Sequence, residues 1–283
     1  MSYLRPRTVE EAVEMLAEPA CILAGGTDVF PALVDRPAPA RIVDLSRLEG
    51  LSAITLEPGL VRIGARVTWS ALVRAPLPPC FSMLKAAARE VGSVQIQNAA
   101  TIAGNLVNAS PAADGVPPLL ALDAFVEIAG PRGRLRVALA DFITGYRQTV
   151  LAPGELVTAI LVPRTIDTGR SAFLKLGTRR YLVISIAMVA AVVRAEAGRV
   201  VEARIAVGAC SAVAKRLPAL EDALVGADLA AAPLSSRVTP DHLAGLDPID
   251  DVRATAAYRR EAALELARRA LDACTADPLA AEA

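Results

Sequence analysis

Between an apolar segment ending near Val91 and another starting at Leu119 lies Thr101–Asp114, TIAGNLVNASPAAD. It holds too much Gly, Asn and Pro for a core strand and follows neither the helical nor the strand period, so it predicts a long irregular segment. Such segments are uncommon inside compact chains and often bind something. The fold around this one must therefore be built to hold it. Gly104 admits a ligand close to the backbone, because no Cβ stands in the way. Thr101, Asn105, Asn108 and Ser110 add short side-chain donors beside main-chain N–H groups, a set suited to phosphate oxygens. Asp114 can then accept hydrogen bonds from sugar hydroxyls. The same residue types also cap turns of their own backbone, so this stretch alone leaves both readings open.

A second stretch favours the binding reading. Cys21–Ala24 is a short apolar run, followed at once by Gly25-Gly26-Thr27-Asp28 and then by Val29-Phe30-Pro31-Ala32-Leu33. The pattern predicts a strand, a glycine turn and a helix capped by Thr27 or Asp28. That arrangement points free N–H groups and the positive end of a helix dipole at an anion. It is neither the G-x-G-x-x-G of a dinucleotide fold nor a P-loop, since the P-loop lysine is missing. Two phosphate-seeking loops can clamp a pyrophosphate from both sides.

Composition excludes several other classes. Lys plus Arg and Asp plus Glu are equal at 30 each, giving zero formal net charge, without the basic excess of a nucleic-acid binder. The longest apolar run, Tyr181–Val193, falls well short of the ~20 residues needed to span a bilayer and predicts a buried strand. The N-terminal MSYLRPRTVEEAVEML lacks the apolar core of a secretory signal. The four cysteines, Cys21, Cys80, Cys210 and Cys274, are scattered; they form no metal-binding spacing and read as reduced core residues. A cytoplasmic location is expected.

In chain order, Thr8 with Glu11 reads as a capping box before a helix carrying Val9, Ala12, Val13 and Leu16, ended by Pro19. With strands at 21–24 and 41–45 this makes a βαβ-like lobe. Hairpins are predicted around Pro58-Gly59 and around Gly130–Gly133. Thr68 should cap a helix through Arg74 with Trp69 in the core, and a helix over 81–91 should stop at Gly92. A helical turn is predicted over 119–122 and a strand over 156–162. The polar segment 164–170 is the candidate domain boundary. Beyond it come a long hairpin of 184–195 with 200–208, a helix over 218–225 and an amphipathic helix over 251–273. The class is α+β.

AGGTD at Ala24–Asp28 and TIAGN at Thr101–Asn105, continuing as LVNASPAAD, closely resemble the FAD-binding medium subunit of the molybdenum hydroxylases, the xanthine dehydrogenase and carbon monoxide dehydrogenase family. FLKLGTRR at Phe173–Arg180 and the C-terminal segments ARIAVGACSAVAKR and PIDDVRATAAYRREAALELARRA resemble it too, so the likeness spans nearly the whole chain. It implies a two-lobed FAD-binding domain of the PCMH/VAO type over 1–165, with lobes of about 1–50 and 51–165. A smaller α+β domain of the CO dehydrogenase flavoprotein type would follow over 171–283. The residues it implies for FAD are Ile22, Leu23, Ala24, Gly25, Gly26, Thr27, Asp28, Val29, Thr101, Ile102, Ala103, Gly104, Asn105, Asn108, Asp114, Val157 and Lys175. It also implies a non-covalent flavin, with the molybdenum cofactor on a large partner subunit and 2Fe–2S clusters on a small one, in a dimer of heterotrimers. Electrons would leave for NAD+, a quinone or oxygen. A self-sufficient FAD-dependent oxidoreductase acting on its own small substrate is the alternative.

No side chains are assigned to conventional catalysis or to a metal. The one histidine, His242, follows Thr239-Pro240-Asp241 and reads as a turn or cap position. Lys175 matches a family lysine near the flavin, where a cation would raise its potential; without the resemblance it reads as a solvated lysine. Arg179 and Arg180 read as surface residues. The chain departs from the family where Ala103-Gly104 replaces the commoner Gly-Gly, which is tolerable only if φ at Ala103 stays negative. It departs again in Tyr181–Ser185, YLVIS, which replaces a more polar segment.

Overall fold

Parallel pairing defines the N-terminal lobe of the computed structural model, which describes residues 1–34 and 37–276. Residues 277–283 of the expected C-terminal domain lie outside the described residues. Strands Ser2–Leu4 and Cys21–Leu23 both pair in parallel with Arg41–Asp44, which lies between them. The helix Val9–Met15 connects the outer two strands. Its cap differs in detail from the predicted box. Thr8 accepts from Glu11 N at 3.1 Å, but Glu11 reaches back one residue further, to Arg7 N at 2.7 Å.

The chain divides into two units, the first comprising Met1–Ala75, Gly92–Ala109 and Asp123–Arg164. Besides the parallel lobe, this unit holds a five-stranded antiparallel sheet. Its strands run in the order Ile54–Glu57, Leu60–Gly64, Leu156–Pro163, Phe125–Gly130 and Gly133–Ala138. The central strand is buried along almost its whole length, so it reads as continuous apolar sequence rather than as an alternation. Helix Trp69–Arg74 packs Trp69 and Leu72 into the core, both with 0% exposure.

Three local expectations are corrected here. Thr101–Asp114 is not irregular throughout: Thr101 caps a helix, Ile102–Asn108, by accepting from Gly104 N at 3.1 Å. Ile102, Ala103 and Leu106 are buried along one side of it. The short run of apolar positions carries the helical period, and Gly104 and the Asn residues obscured it. A helix over Val94–Ala99, capped by Ser93, precedes it. Beyond Gly26 there is no α-helix capped by Thr27 or Asp28. Turns lead into a single 3₁₀ turn, Pro31–Leu33, because Pro31 cannot donate the N–H that a continuing helix needs. Finally, the helical turn expected over 119–122 starts earlier, with Pro117 and Pro118 in the first turn of Val116–Ala121, where no N–H is required.

The second unit comprises Pro76–Val91, Ser110–Leu122 and the chain from Thr165 onward. Its antiparallel sheet runs Arg170–Leu176, Ala187–Glu196, Arg199–Gly208 and Lys215–Arg216. Alternate residues Ala187, Val189, Ala191 and Val193 join Ile205 and Val207 in a core with Leu271 and Cys274 of the helix Ala256–Thr275. The intervening residues Met188, Ala190 and Val192 are buried as well. Helices Ser82–Glu90 and Val116–Ala121 pack against these strands. Cover on both faces explains why the hairpin is apolar without alternation.

The strand begins later than the apolar run suggests. Tyr181, Leu182 and Ile184 are 52–60% exposed and lie outside it. The last helix also begins late, at Ala256. Asp251 is instead drawn to the buried Arg259, whose Nη2 lies 2.7 Å away. Cys210 and Cys274 are free and buried, and burial pushes their thiols up to about 11 and about 12.

On the five-stranded sheet, Arg62 grips the buried Glu127 at 3.0 and 2.7 Å, and the Thr158 hydroxyl donates to it at 2.7 Å. The Arg62 hydrogen bonds hold this carboxyl well below its usual 4.5, at about 2, against the opposing effect of burial. A depressed carboxylate pKa contributes stability that is complete above the unfolded value and is lost as pH falls through the folded one. The Glu127→Gln variant should therefore lose stability relative to wild type at neutral pH. The gap should close as pH falls from about 4.5 to about 2, read by urea unfolding across that range.

Candidate cofactor-binding site

The first loop leaves strand Cys21–Leu23 and meets the segment that leads into Thr101 inside the same unit. A Cβ on Gly25 would lie 2.1 Å from the carbonyl oxygen of Ala99 and 3.0 Å from the Cα of Ala100. Backbone against backbone leaves no room for any side chain there. Gly26, at φ 73°, turns the chain beneath the Phe30 ring, and its carbonyl accepts from Phe30 N at 3.0 Å. The main-chain N–H groups of Gly26 and Thr27 have no partner among the described residues. Adjacent free amides of this kind are an anion-binding feature. Leu23 is buried beside them. Ile22, Ala24, Thr27 and Val29 are partly buried and Asp28 is exposed.

The second loop is held from within. Ile102 N donates to Val67 O at 3.0 Å, Gly104 N to the Thr101 hydroxyl, and Asn105 N to Thr101 O at 3.1 Å. These amides are engaged, so the loop offers fewer free donors than its sequence suggests. What it does present is an acceptor. The side-chain Oδ1 of Asn105 is buried without a hydrogen-bond partner among the described residues. A buried carbonyl oxygen left alone is unfavourable, and a sugar hydroxyl satisfies it where a phosphate does not. Gly104 is exposed, and Ala103 sits in the first helical turn, outside the positive-φ region. Its Cβ therefore causes no strain. Asn108 turns its amide oxygen to Arg147, and Val157 is buried at 5% exposure in the central strand. Gly25 thus packs against Ala99 and Ala100, the residues directly ahead of Thr101–Asn105. A pyrophosphate-bearing nucleotide with sugar hydroxyls fits the free amides and the orphaned acceptor.

Asp114 and Lys175 belong to the second unit and meet each other. Lys175 Nζ lies 2.8 Å from Asp114 Oδ2 and 3.4 Å from the carbonyl of Glu90. Ser185 donates to the other carboxylate oxygen at 2.9 Å. The lysine and aspartate side chains are only 6% and 9% exposed, so Lys175 is not solvated. Burial pushes the Asp114 carboxyl up, against the pull of Lys175 and Ser185. Ser185 was hidden at the end of an apolar run, and only the fold reveals it. His242 is a cap, its Nδ1 accepting from Thr239 N at 3.1 Å.

The two-part fold that carries these loops is shared with a class of flavin-binding proteins. Residues 1–165 match the FAD binding domain in molybdopterin dehydrogenase, and residues 172–274 match the CO dehydrogenase flavoprotein C-terminal domain. The nicotine 6-hydroxylase medium subunit of Paenarthrobacter nicotinovorans is 32% identical over 277 residues, 95% of each chain. Among solved structures, carbon monoxide dehydrogenase from Hydrogenophaga pseudoflava superposes with a TM-score of 0.88 at 29% identity. The match covers 97% of this chain and 96% of that one. Quinoline 2-oxidoreductase from Pseudomonas putida 86 gives 0.88 at 27% identity with the same coverage. The chain belongs to the FAD-binding medium subunits of the molybdenum hydroxylases, and its α+β fold is the one the resemblance implied.

The Lys175–Asp114 pair makes a checkable statement about stability. Lys175→Met leaves a buried carboxylate without its partner, which should destabilise the second unit by about 3–5 kcal/mol. Adding Asp114→Asn should restore much of that loss in a double-mutant cycle read by chemical denaturation.

Proposed function

We propose that this chain is the electron-transfer flavoprotein of a molybdenum hydroxylase, accepting electrons onto non-covalent FAD from the 2Fe–2S clusters of a small partner subunit and passing them to NAD+, a quinone or oxygen. The substrate would be oxidised on a large molybdopterin subunit. The working assembly would be a cytoplasmic dimer of heterotrimers. The protein's own part is placement and tuning. The carrying observation is the pair of free amides at Gly26 and Thr27, in the same unit as the unpartnered Asn105 acceptor.

In this reading Gly26 and Thr27 would hold the pyrophosphate and Asn105 a sugar hydroxyl. Gly25 would act indirectly by letting its loop close on Ala99–Ala100. Asp114, Val157 and Lys175 are assigned to the same cofactor on the family resemblance alone. Because Asp114 lies against Lys175, the pair would tune the flavin as a buried dipole rather than as a free positive charge. Among the described residues no helix is long and apolar enough to cross a membrane. The domain layout goes with this proposal: 1–165 for FAD, with lobes of about 1–50 and 51–165, and 171–283 for the C-terminal domain.

The test compares the isolated chain with the assembled enzyme. The isolated chain should hold FAD and yet show no anaerobic bleaching of the flavin by purines, aldehydes or aromatic heterocycles. Bleaching should appear when molybdenum and iron–sulfur subunits are added. Substrate-dependent bleaching by the chain alone would instead favour the self-sufficient oxidoreductase.

A second expectation concerns the first loop. Gly25→Val, and even Gly25→Ala, should purify without flavin, because the new Cβ meets the Ala99 carbonyl. Full flavin occupancy in either variant would remove that loop from the site.

A further inference from the structure

The five-stranded sheet carries a buried charge cluster that the cofactor reading leaves without a role. Glu127, 6% exposed, is gripped by both terminal nitrogens of Arg62 and lies 3.5 Å from Arg134. The fully buried Thr158 donates its hydroxyl to Glu127 Oε1 at 2.7 Å and also reaches the Glu127 carbonyl at 3.3 Å. Thr158 is the extra residue of a β-bulge. Val157 pairs with Ile128 and Ala159 with Glu127, leaving Thr158 without a cross-strand partner in that ladder. Bulges re-aim the chain and occur beside functional sites, and this one is fastened by a carboxylate that two arginines keep in place.

The bulge has a definite target. The Thr158 carbonyl accepts from Ala65 N at 3.0 Å, where the chain leaves strand Leu60–Gly64. Two residues on, the Val67 carbonyl accepts from Ile102 N at 3.0 Å. Thr68 then bridges to Thr101, and Trp69 N donates to Ala100 O at 3.3 Å. A short relay therefore runs from Glu127 through Thr158 and the segment 65–68 to the start of the Ile102–Asn108 helix. Arg66 N donates to Leu51 O at 2.8 Å, securing the same segment independently. Loss of the Thr158 contact should therefore loosen this segment rather than unfold it.

We infer that Glu127, acting through Thr158, is a positioning residue for the Thr101–Asn105 loop. This rests on the proposed FAD site, because only a loop that binds something needs to be held at one setting. The carboxylate fixes the bulge, the bulge fixes the exit of the strand, and the exit fixes the first turn that carries Asn105.

The experiment uses the full chain and two readouts. In the flavin-free protein, amide hydrogen exchange over 99–106 should be roughly tenfold faster in Thr158→Val than in wild type, the size expected for one lost hydrogen bond. FAD titrated into the same variant should bind roughly tenfold more weakly, with an altered visible flavin spectrum. Thr158→Ser, which keeps the hydroxyl, should restore both. Glu127→Asp keeps the charge for Arg62 but withdraws it from Thr158, and should reproduce the valine variant; it decides the matter alone if Thr158→Val fails to fold. Exchange and affinity equal to wild type in these variants, or no rescue by serine, would overturn the inference and leave the FAD site standing. A wild-type chain that takes up no FAD would overturn the site and the inference together.

Discussion

The contact on which the site depends is between two stretches of backbone with nothing between them. Gly25 approaches Ala99 and Ala100 so closely that even a methyl group would overlap the Ala99 carbonyl. That approach brings the free amides of Gly26 and Thr27 into the unit that presents Asn105. Without it the two glycine-bearing loops would be separate surface turns. The glycine at 25 is therefore explained by packing between protein segments before any ligand is considered. Gly26 is different, since its φ of 73° is a conformation that residues with a Cβ rarely adopt.

Much of this was legible in the sequence, and the parts that were not share a cause. Caps at Thr8, Thr68 and the turn around His242 were readable because they are local, fixed by residues three positions apart. The two glycine-bearing stretches were readable as motifs, although the helix inside the second was not. Polar residues on its exposed side hid a buried side of only Ile102, Ala103 and Leu106. The relay through Thr158 was illegible, because a bulge depends on how two strands register and leaves no mark in the order of residues. The Ser185–Asp114 contact likewise joins residues far apart in sequence.

The junctions between the two units show a similar limit. At three of the five places where the chain passes from one to the other stand Gly92, Ala109 and Asp123, whose φ values are 53°, 46° and 50°. Each follows a helix, and a left-handed residue is a common way to end one. Only the glycine announced itself in the sequence. Ala109 and Asp123 take a conformation unfavourable for their side chains, so the surrounding packing must hold them there. The segments so released, Pro76–Val91 and Ser110–Leu122, belong to the second unit. In it the helices Ser82–Glu90 and Val116–Ala121 help cover a sheet that would otherwise expose an apolar face.

The electrostatics follow from the same economy of placement. A lysine beside a flavin suggests a fixed positive charge that stabilises the reduced form. Lys175 is instead matched with Asp114, and Ser185 occupies the other carboxylate oxygen. An ion pair at 2.8 Å has little net charge when viewed from a distance, so its effect on a cofactor depends on orientation and falls off faster than that of a lone cation. Burial raises the Asp114 carboxyl while Lys175 and Ser185 oppose the rise. The influence of the pair is thus set by its direction as well as its distance, which that of a solitary surface lysine is not.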